Sequence, residues 1–342
     1  MLTVYDHLPE GLLQRPANLL HELLPGPALI HLPGRREAPL FVSVLLHGNE
    51  DTGWRAVQSV LEKHAAIGLP RALSLFIGNL DAARHGLRRL DGQPDYNRVW
   101  PGAAEMDSPE CRMTRQVVDD MARRGVFASV DVHNNTGLNP HYACVNDLSR
   151  PFLHLATLFS RTVVYFIRPL GAQSAAFARL CPSVTVECGK AGSAGSAEHA
   201  AGFLEACLHL SEFPAHAVPP QDVDLFHTVA TVKVPEGLSF GFGTPEMDID
   251  FLPDLDHLNF RELARGALFG QARSGSQACL QAMDEEGRDV GDKLFDCGGG
   301  QIRLRKSLMP AMLTRDTRVI RQDCLCYLME RLHYDPAATT RP

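Results

Sequence analysis

The chain has 342 residues, 45% of them hydrophobic, and a formal net charge of −7. That length and composition suit one large domain and a smaller one around a sizeable core. The negative balance argues against nucleic acid and anionic membranes as partners, so an anionic substrate has to be caught by local arginines. No apolar run approaches the ~18 uninterrupted residues of a membrane span. The opening MLTVYDHLPEGLLQRP carries Asp6 and Glu10 where a secretory leader is basic and then apolar. Nine cysteines, an odd number, do not make a disulfide framework in a chain of this length, and a reducing, cytoplasmic setting is expected.

In chain order, the first apolar, β-branched run covers residues 40–46. A stretch with apolar residues at three- and four-residue spacing follows over 52–66, then a second strand-like run over 73–77. A second helical pattern occupies 109–124, followed by strand-like runs at 126–132 and 183–186. Unbroken apolar runs of this kind read as buried parallel strands, and their alternation with helices predicts an α/β sheet. From about Pro214 the texture changes to short alternating segments, among them residues 227–234 and 293–295. Residues 1–213 are therefore read as a catalytic domain and 214–342 as a β-rich C-terminal domain.

Ligands of open α/β sheets gather beyond the carboxyl ends of the strands. Each of the four runs ends in polar residues: His47-Gly48-Asn49-Glu50, Gly78-Asn79, Asp131-Val132-His133-Asn134-Asn135 and Glu187-Cys188-Gly189. His47 and Glu50, three residues apart on one turn, can chelate a single ion, with His133 as a third ligand from a neighbouring strand. Two histidines, a carboxylate and an open position make a catalytic rather than structural zinc site. Glu187, delivered to the same crevice, is the candidate general base for a water activated there. Taken singly, a His-x-x-Glu or a strand-end histidine is commonplace; the coincidence of all of them at strand ends carries the reading. Residues 82–98 add Arg84, Arg88, Arg89 and Arg98, whose planar guanidinium matches a carboxylate, and nothing in the residues alone chooses among the four.

These motifs, in this order, resemble the succinylglutamate desuccinylase/aspartoacylase family of the zinc carboxypeptidase clan. The resemblance rests on His47-Gly48-Asn49-Glu50, Arg88, Asp95-Tyr96-Asn97-Arg98, Asp131-Val132-His133 and Glu187-Cys188-Gly189, over about residues 40–190. A weaker echo runs through Leu258-Asn259-Phe260 and residues 266–271. It implies a carboxypeptidase-like mixed sheet flanked by helices, with a smaller β-rich domain narrowing the active-site mouth. It also implies one zinc ion per chain held by His47, Glu50 and His133, Glu187 as base and acid, and Arg88 polarising the scissile carbonyl. Asn97 and Arg98 would bind the substrate carboxylate, and Asp95 would orient a zinc histidine, a task Asp131 could share. The implied reaction is hydrolysis of the amide of a small N-acyl amino acid, and the resemblance leaves a homo-oligomer open.

The run after His133 is closer to aspartoacylases, whereas Glu187-Cys188-Gly189-Lys190 and Leu258-Asn259-Phe260 lean toward desuccinylases, and the tyrosine that aspartoacylases contribute from the C-terminal domain has no clear counterpart. His141 is a candidate substrate contact, and Lys190 and Arg168 are candidates for a second carboxylate. His154, His199, His227 and His257 read as structural or surface residues. Two rival readings are a zinc carboxypeptidase acting on small peptides in an open groove and a non-catalytic binding protein that keeps the fold.

Overall fold

The structure, a computed structural model, describes residues 1–104, 107–273 and 278–336. The chain forms two compact units. One comprises Met1–Asn134, His141–Leu225 and the described residues from His333 on; the other comprises Asn135–Pro140 and Phe226–Leu332.

Among the described residues the first unit holds eight strands: β1 (Thr3–Tyr5), β2 (Ala28–Leu32), β3 (Gly34–Val44), β4 (Leu69–Ile77), β5 (Ala128–Asn135), β6 (His141–Val145), β7 (Thr162–Tyr165) and β8 (Ser183–Lys190). They lie in the order β1-β2-β4-β3-β5-β8-β6-β7. The four apolar runs read from the sequence are β3, β4, β5 and β8. β3 is parallel to β4 and to β5, while β6 runs antiparallel to β8 and β2 antiparallel to β4, so the sheet is mixed, as the resemblance implies. Apolar runs report burial on both faces, and burial does not encode strand direction.

Helices that flank this sheet are α1 (Thr52–His64), α2 (Leu80–Arg84), α3 (Pro109–Arg123), α4 (Arg150–Phe159), α5 (Gln173–Phe177) and α6 (Ser196–His209). The helical patterns at 52–66 and 109–124 correspond to α1 and α3. α3 starts where the Ser108 side chain accepts the Cys111 N–H and Pro109 takes the first turn, where a missing donor costs nothing. Successive strand residues face opposite sides. Phe41 and Phe76 therefore join Trp100, Val117 and Phe177 on the side of α3 and α5, while Leu40, Val42 and Leu73 meet Val57 and Val60 of α1 and Leu204 of α6 on the other.

The second unit is β-rich. Its strands are β9 (Asp224–Lys233), β10 (Phe240–Phe242), β11 (Ile249–Phe251), β12 (Leu268–Ala272), β13 (Gln281–Met283), β14 (Phe295–Asp296), β15 (Gln301–Leu304), β16 (Met309–Ala311) and β17 (Cys326–Arg331). Two short helices, α7 (Gly291–Leu294) and α8 (Thr317–Gln322), accompany them. β10-β11-β12-β15-β14 form one sheet, and β9 pairs with β13 and β17. Residues 227–234 lie on β9 and just past its end. Residues 293–295, read as a strand, fall instead on the end of α7 and the first residue of β14, because three residues are too few to separate the two periods. Asn259 has a structural task here: its amide donates to Leu313 O and accepts from Leu313 N, both at 2.8 Å. Cys279 and Cys297 are disulfide-bonded with Cα atoms 5.8 Å apart, a single bridge that cysteine spacing did not indicate. Among the described residues no helix is long and apolar enough to cross a membrane.

Candidate active site

The sequence at the end of β3 forces an abrupt change of direction. Leu45 is buried with φ of 57°, a conformation unusual for a branched side chain. It is held by Asn79 N donating to Leu45 O at 2.6 Å and Gly78 N donating to Val44 O at 3.0 Å. The chain then turns, with Glu50 N donating to His47 O at 3.2 Å and Gly48 N to Arg88 O at 3.1 Å. A Cβ at Gly48 would lie 2.1 Å from Ala83 N, so only glycine lets this turn lie against α2.

His47, Glu50 and His133 converge in the first unit, each buried, with one donor atom of each within 4.8 Å of the others. His47 Nδ1 lies 2.9 Å from Glu50 Oε1, His133 Nδ1 lies 2.8 Å from Glu50 Oε2, and the two Nδ1 atoms are 3.2 Å apart. Behind the rings, His47 Nε2 meets Asp95 Oδ1 at 3.0 Å and His133 Nε2 meets Asp131 Oδ2 at 2.7 Å. Those carboxylates can only accept, so each Nε2 carries a proton. A neutral ring then presents its Nδ1 lone pair to the other ring and to Glu50. Such a convergence is stable only if both rings take a second proton or one cation sits among the three donors. The donor set therefore fits a divalent metal, and the carboxylates behind each imidazole are the usual support of a metal-binding histidine.

The electrostatics point the same way. Burial and the Arg88 guanidinium oppose a charged His47, yet Glu50 and Asp95 hold its pKa above the ordinary value. Burial likewise opposes a charged His133, and Asp131 and Glu50 raise its pKa strongly. Glu50, against its own burial, is held far below the usual carboxylate range by His47 and His133. The cluster calls for positive charge at its centre.

Of the four candidate arginines, Arg88 lies against the cluster. Its Nη1 stands 3.6 Å from Glu50 Oε1 and its Nη2 donates to Asp95 Oδ2 at 3.2 Å. Arg84 is exposed, and Arg89 Nη1 is engaged by Gln93 O at 2.6 Å. Asp95 is thus shared: Oδ1 accepts from His47 and from Asn97 N at 2.7 Å, while Oδ2 accepts from Arg88. Burial opposes its charge, but His47 and Arg88 hold its pKa well below the ordinary value. Tyr96 and Trp100 anchor this loop in the core beside Phe41 and Phe76, which fixes Asp95 and Asn97 toward the cluster. Asn97 Oδ1 accepts from Gln173 N at 2.9 Å and its Nδ2 lies 3.3 Å from His133 Nε2, while Arg98 Nη1 donates to Asn97 O at 2.8 Å.

Glu187 sits near the end of β8, opposite Tyr142 of β6. It is 7% exposed, and burial pushes its pKa up to about 7; His133 opposes that rise and Glu50 adds to it. His141 pairs with Cys188 and so faces the other side of the sheet, where its ring stacks on His199 at 4.6 Å. That position takes it away from the cluster, contrary to the expectation of a substrate contact. Asn79, a strand-end residue in the sequence, caps α2 and pairs reciprocally with the Gln93 amide. Lys190 is exposed at the last residue of β8.

Three residues to which the sequence assigned no role support the cluster. Asn134 N donates to Glu50 Oε2 at 3.1 Å, Gln173 holds the Asn97 amide, and Ser43 Oγ donates to Asp131 Oδ1 at 2.6 Å. Ser43 and Asp131 are register partners on β3 and β5, so the signal for Ser43 lay only in the pairing. Replacing Ser43 with Ala leaves Asp131 with one buried lone pair unmet. We expect metal affinity to fall roughly 10-fold and stability by about 1–3 kcal/mol, read by metal titration and denaturant unfolding. An unchanged metal affinity would leave Ser43 as packing only.

Fold and donor set together define a class: an α/β protein with a buried His–Glu–His cluster at the carboxyl ends of its strands. The succinylglutamate desuccinylase/aspartoacylase catalytic domain matches residues 39–211, just over half of the chain, and the chain belongs to that family. Solved structures agree on the fold. The succinylglutamate desuccinylase from Chromobacterium violaceum superposes with a TM-score of 0.56 at 18% identity, covering 87% of this chain and 86% of that one. Murine aminoacylase 3 gives 0.55 at 13% identity over 87% and 96%. The succinylglutamate desuccinylase/aspartoacylase from Rhodobacter sphaeroides gives 0.56 at 14% over 88% of each. No curated protein sequence matches the chain significantly. Members of the family are hydrolytic deacylases, which supports an enzyme.

Proposed function

We propose that this chain is a zinc-dependent deacylase that hydrolyses the amide of a small N-acyl amino acid. The observation that carries the reading is the buried convergence of His47, Glu50 and His133 in a desuccinylase/aspartoacylase fold, with a buried Glu187 whose charge is coupled to theirs. Zinc, when bound, supplies Lewis-acid polarisation of a carbonyl oxygen and makes water acidic enough to attack near neutrality. His47, Glu50 and His133 would hold it, while Asp95 and Asp131 fix both imidazole tautomers from behind.

The remaining steps belong to the chain's own side chains. Glu187, with a pKa pushed up to about 7, takes a proton from the attacking water and returns it to the departing amine near neutral pH. Arg88 sits beside Glu50 and offers its guanidinium to the oxygen on which charge develops. Arg98, next to the Asn97 amide that borders His133, is the cation for the substrate's carboxylate. The Asn97 amide is already held by Gln173, so it contributes a fixed donor rather than a mobile one. The structural neighbours, a desuccinylase and an aminoacylase, favour an N-acyl amino acid over a peptide.

The test is a substrate panel on protein of measured metal content: N-succinylglutamate, N-acetylaspartate, other N-acyl amino acids and small peptides. Release of free amino acid from one acylated substrate, with stoichiometric zinc, is expected. Turnover confined to peptides would replace the deacylase with a carboxypeptidase, and absence of zinc would remove the mechanism.

A further inference from the structure

A second set of metal-competent donors lies where the last turns of α1 and α6 meet, on the sheet face opposite Phe41. His64 ends α1, and Glu205 and His209 stand four residues apart in the closing turns of α6. That spacing puts both side chains on one helix face. One donor atom from each of the three residues lies within 4.8 Å of the others. His64 Nε2 is 2.8 Å from Glu205 Oε1, and His209 Nε2 is 3.7 Å from Glu205 Oε2.

The orientation of His64 singles this cluster out. Its ring is buried, and Nδ1 donates to Gly68 O at 3.2 Å. A carbonyl can only accept, so the Nδ1 proton is fixed and the neutral ring turns its Nε2 lone pair toward a carboxylate oxygen. Two lone pairs at 2.8 Å repel unless a proton or a metal stands between them. A backbone carbonyl behind the ring and an acidic donor in front is how proteins hold a metal-binding imidazole. The remaining neighbour is the Lys63 ammonium, 3.0 Å from Glu205 Oε2 on a side chain that is 62% exposed. Exposed ion pairs of this kind contribute little, so an incoming cation displaces it readily.

We propose that His64, Glu205 and His209 form a second divalent transition-metal site of the zinc class, clamping the C-terminal ends of α1 and α6 together. Two imidazoles and one carboxylate are borderline ligands suited to zinc rather than to calcium or magnesium. α1 has 13 residues, about 20 Å of helix, and begins two residues after Glu50. The second site therefore lies about a helix length from the catalytic donors, and its signature is stoichiometry and thermal stability rather than turnover.

The experiment is zinc titration, by calorimetry and thermal unfolding, of chelator-stripped full-length protein. It compares wild type with His209→Ala, and His47→Ala with the double variant His47→Ala/His209→Ala. In both backgrounds His209→Ala should remove one equivalent of micromolar zinc and the rise in Tm that accompanies it. The His47→Ala background makes that loss independent of the deacylase site. His209 is largely exposed, so its replacement is expected to fold. Lys63→Ala should strengthen zinc binding several-fold by removing the competing ammonium, an effect a plain hydrogen-bonded ion pair would not produce. The proposal is overturned if His209→Ala leaves stoichiometry unchanged in both backgrounds, or if Lys63→Ala weakens binding.

Discussion

Glu187→Gln should lose roughly 10²- to 10⁴-fold in kcat on the best N-acyl substrate, the usual contribution of a positioned general base. The same substitution should stabilise the chelator-treated protein above pH 7. Burial raises the Glu187 pKa from 4.5 to about 7 in the folded chain. A group with a raised folded-state pKa favours folding fully below its unfolded value and loses that contribution as pH rises through the folded one. Between about pH 4.5 and 7 the wild-type protein therefore gives up stability of order 3 kcal/mol by this group alone. Glutamine, uncharged at every pH, does not. The two stabilities should coincide near pH 4 and diverge toward pH 8, with the variant the more stable, as read by urea unfolding at several pH values. A variant as active as wild type would remove Glu187 from the chemistry. One less stable at every pH would show that the carboxylate is not strained by burial.

His133→Ala should abolish both stoichiometric zinc and turnover, because it removes a ligand and leaves Glu50 and Asp131 facing each other's charge without the imidazole between them. A linked pH dependence follows for the wild-type protein. His47 and His133 have raised pKa values when only protons neutralise the cluster. Their contribution is fully present below about pH 6.5, the ordinary histidine value, and is lost as pH rises through the raised folded values. Glu50 and Asp95, with lowered pKa values, contribute oppositely but only on acidification below the carboxylate range, so they are constant in this window. Zinc replaces those protons, and the gap in Tm between zinc-loaded and chelated protein should widen from pH 5.5 to pH 8. At zinc a thousand-fold above its dissociation constant, binding adds about 4 kcal/mol. A gap that narrows with rising pH would contradict proton–metal competition at these two rings.

Most of the first unit was legible because its signals are local. Four apolar runs and two helical patterns correspond to β3, β4, β5, β8, α1 and α3, and polar residues at the ends of those runs pointed to His47, Glu50 and His133, which the fold brings together, and to Glu187. Arg88 could be singled out only by resemblance, since four arginines within fifteen residues are chemically alike; the fold puts its guanidinium beside Glu50 and Asp95. β2, β6 and β7 were not recognised, being short or broken by polar residues, and with them went the antiparallel pairings. Without β6 the face on which His141 points could not be decided.

What the sequence determined by itself is the alphabet of the site: which residue types stand near the ends of which strands, and hence the kind of ion and reaction they suit. What only the tertiary structure decided is pairing across the chain. Ser43 finds Asp131 through strand register, Asp95 joins His47 to Arg88 through a loop pinned by Tyr96 and Trp100, and His64 meets Glu205 from 141 residues away. These contacts depend on positions in space set by packing of the whole core, and no periodicity along the chain records them.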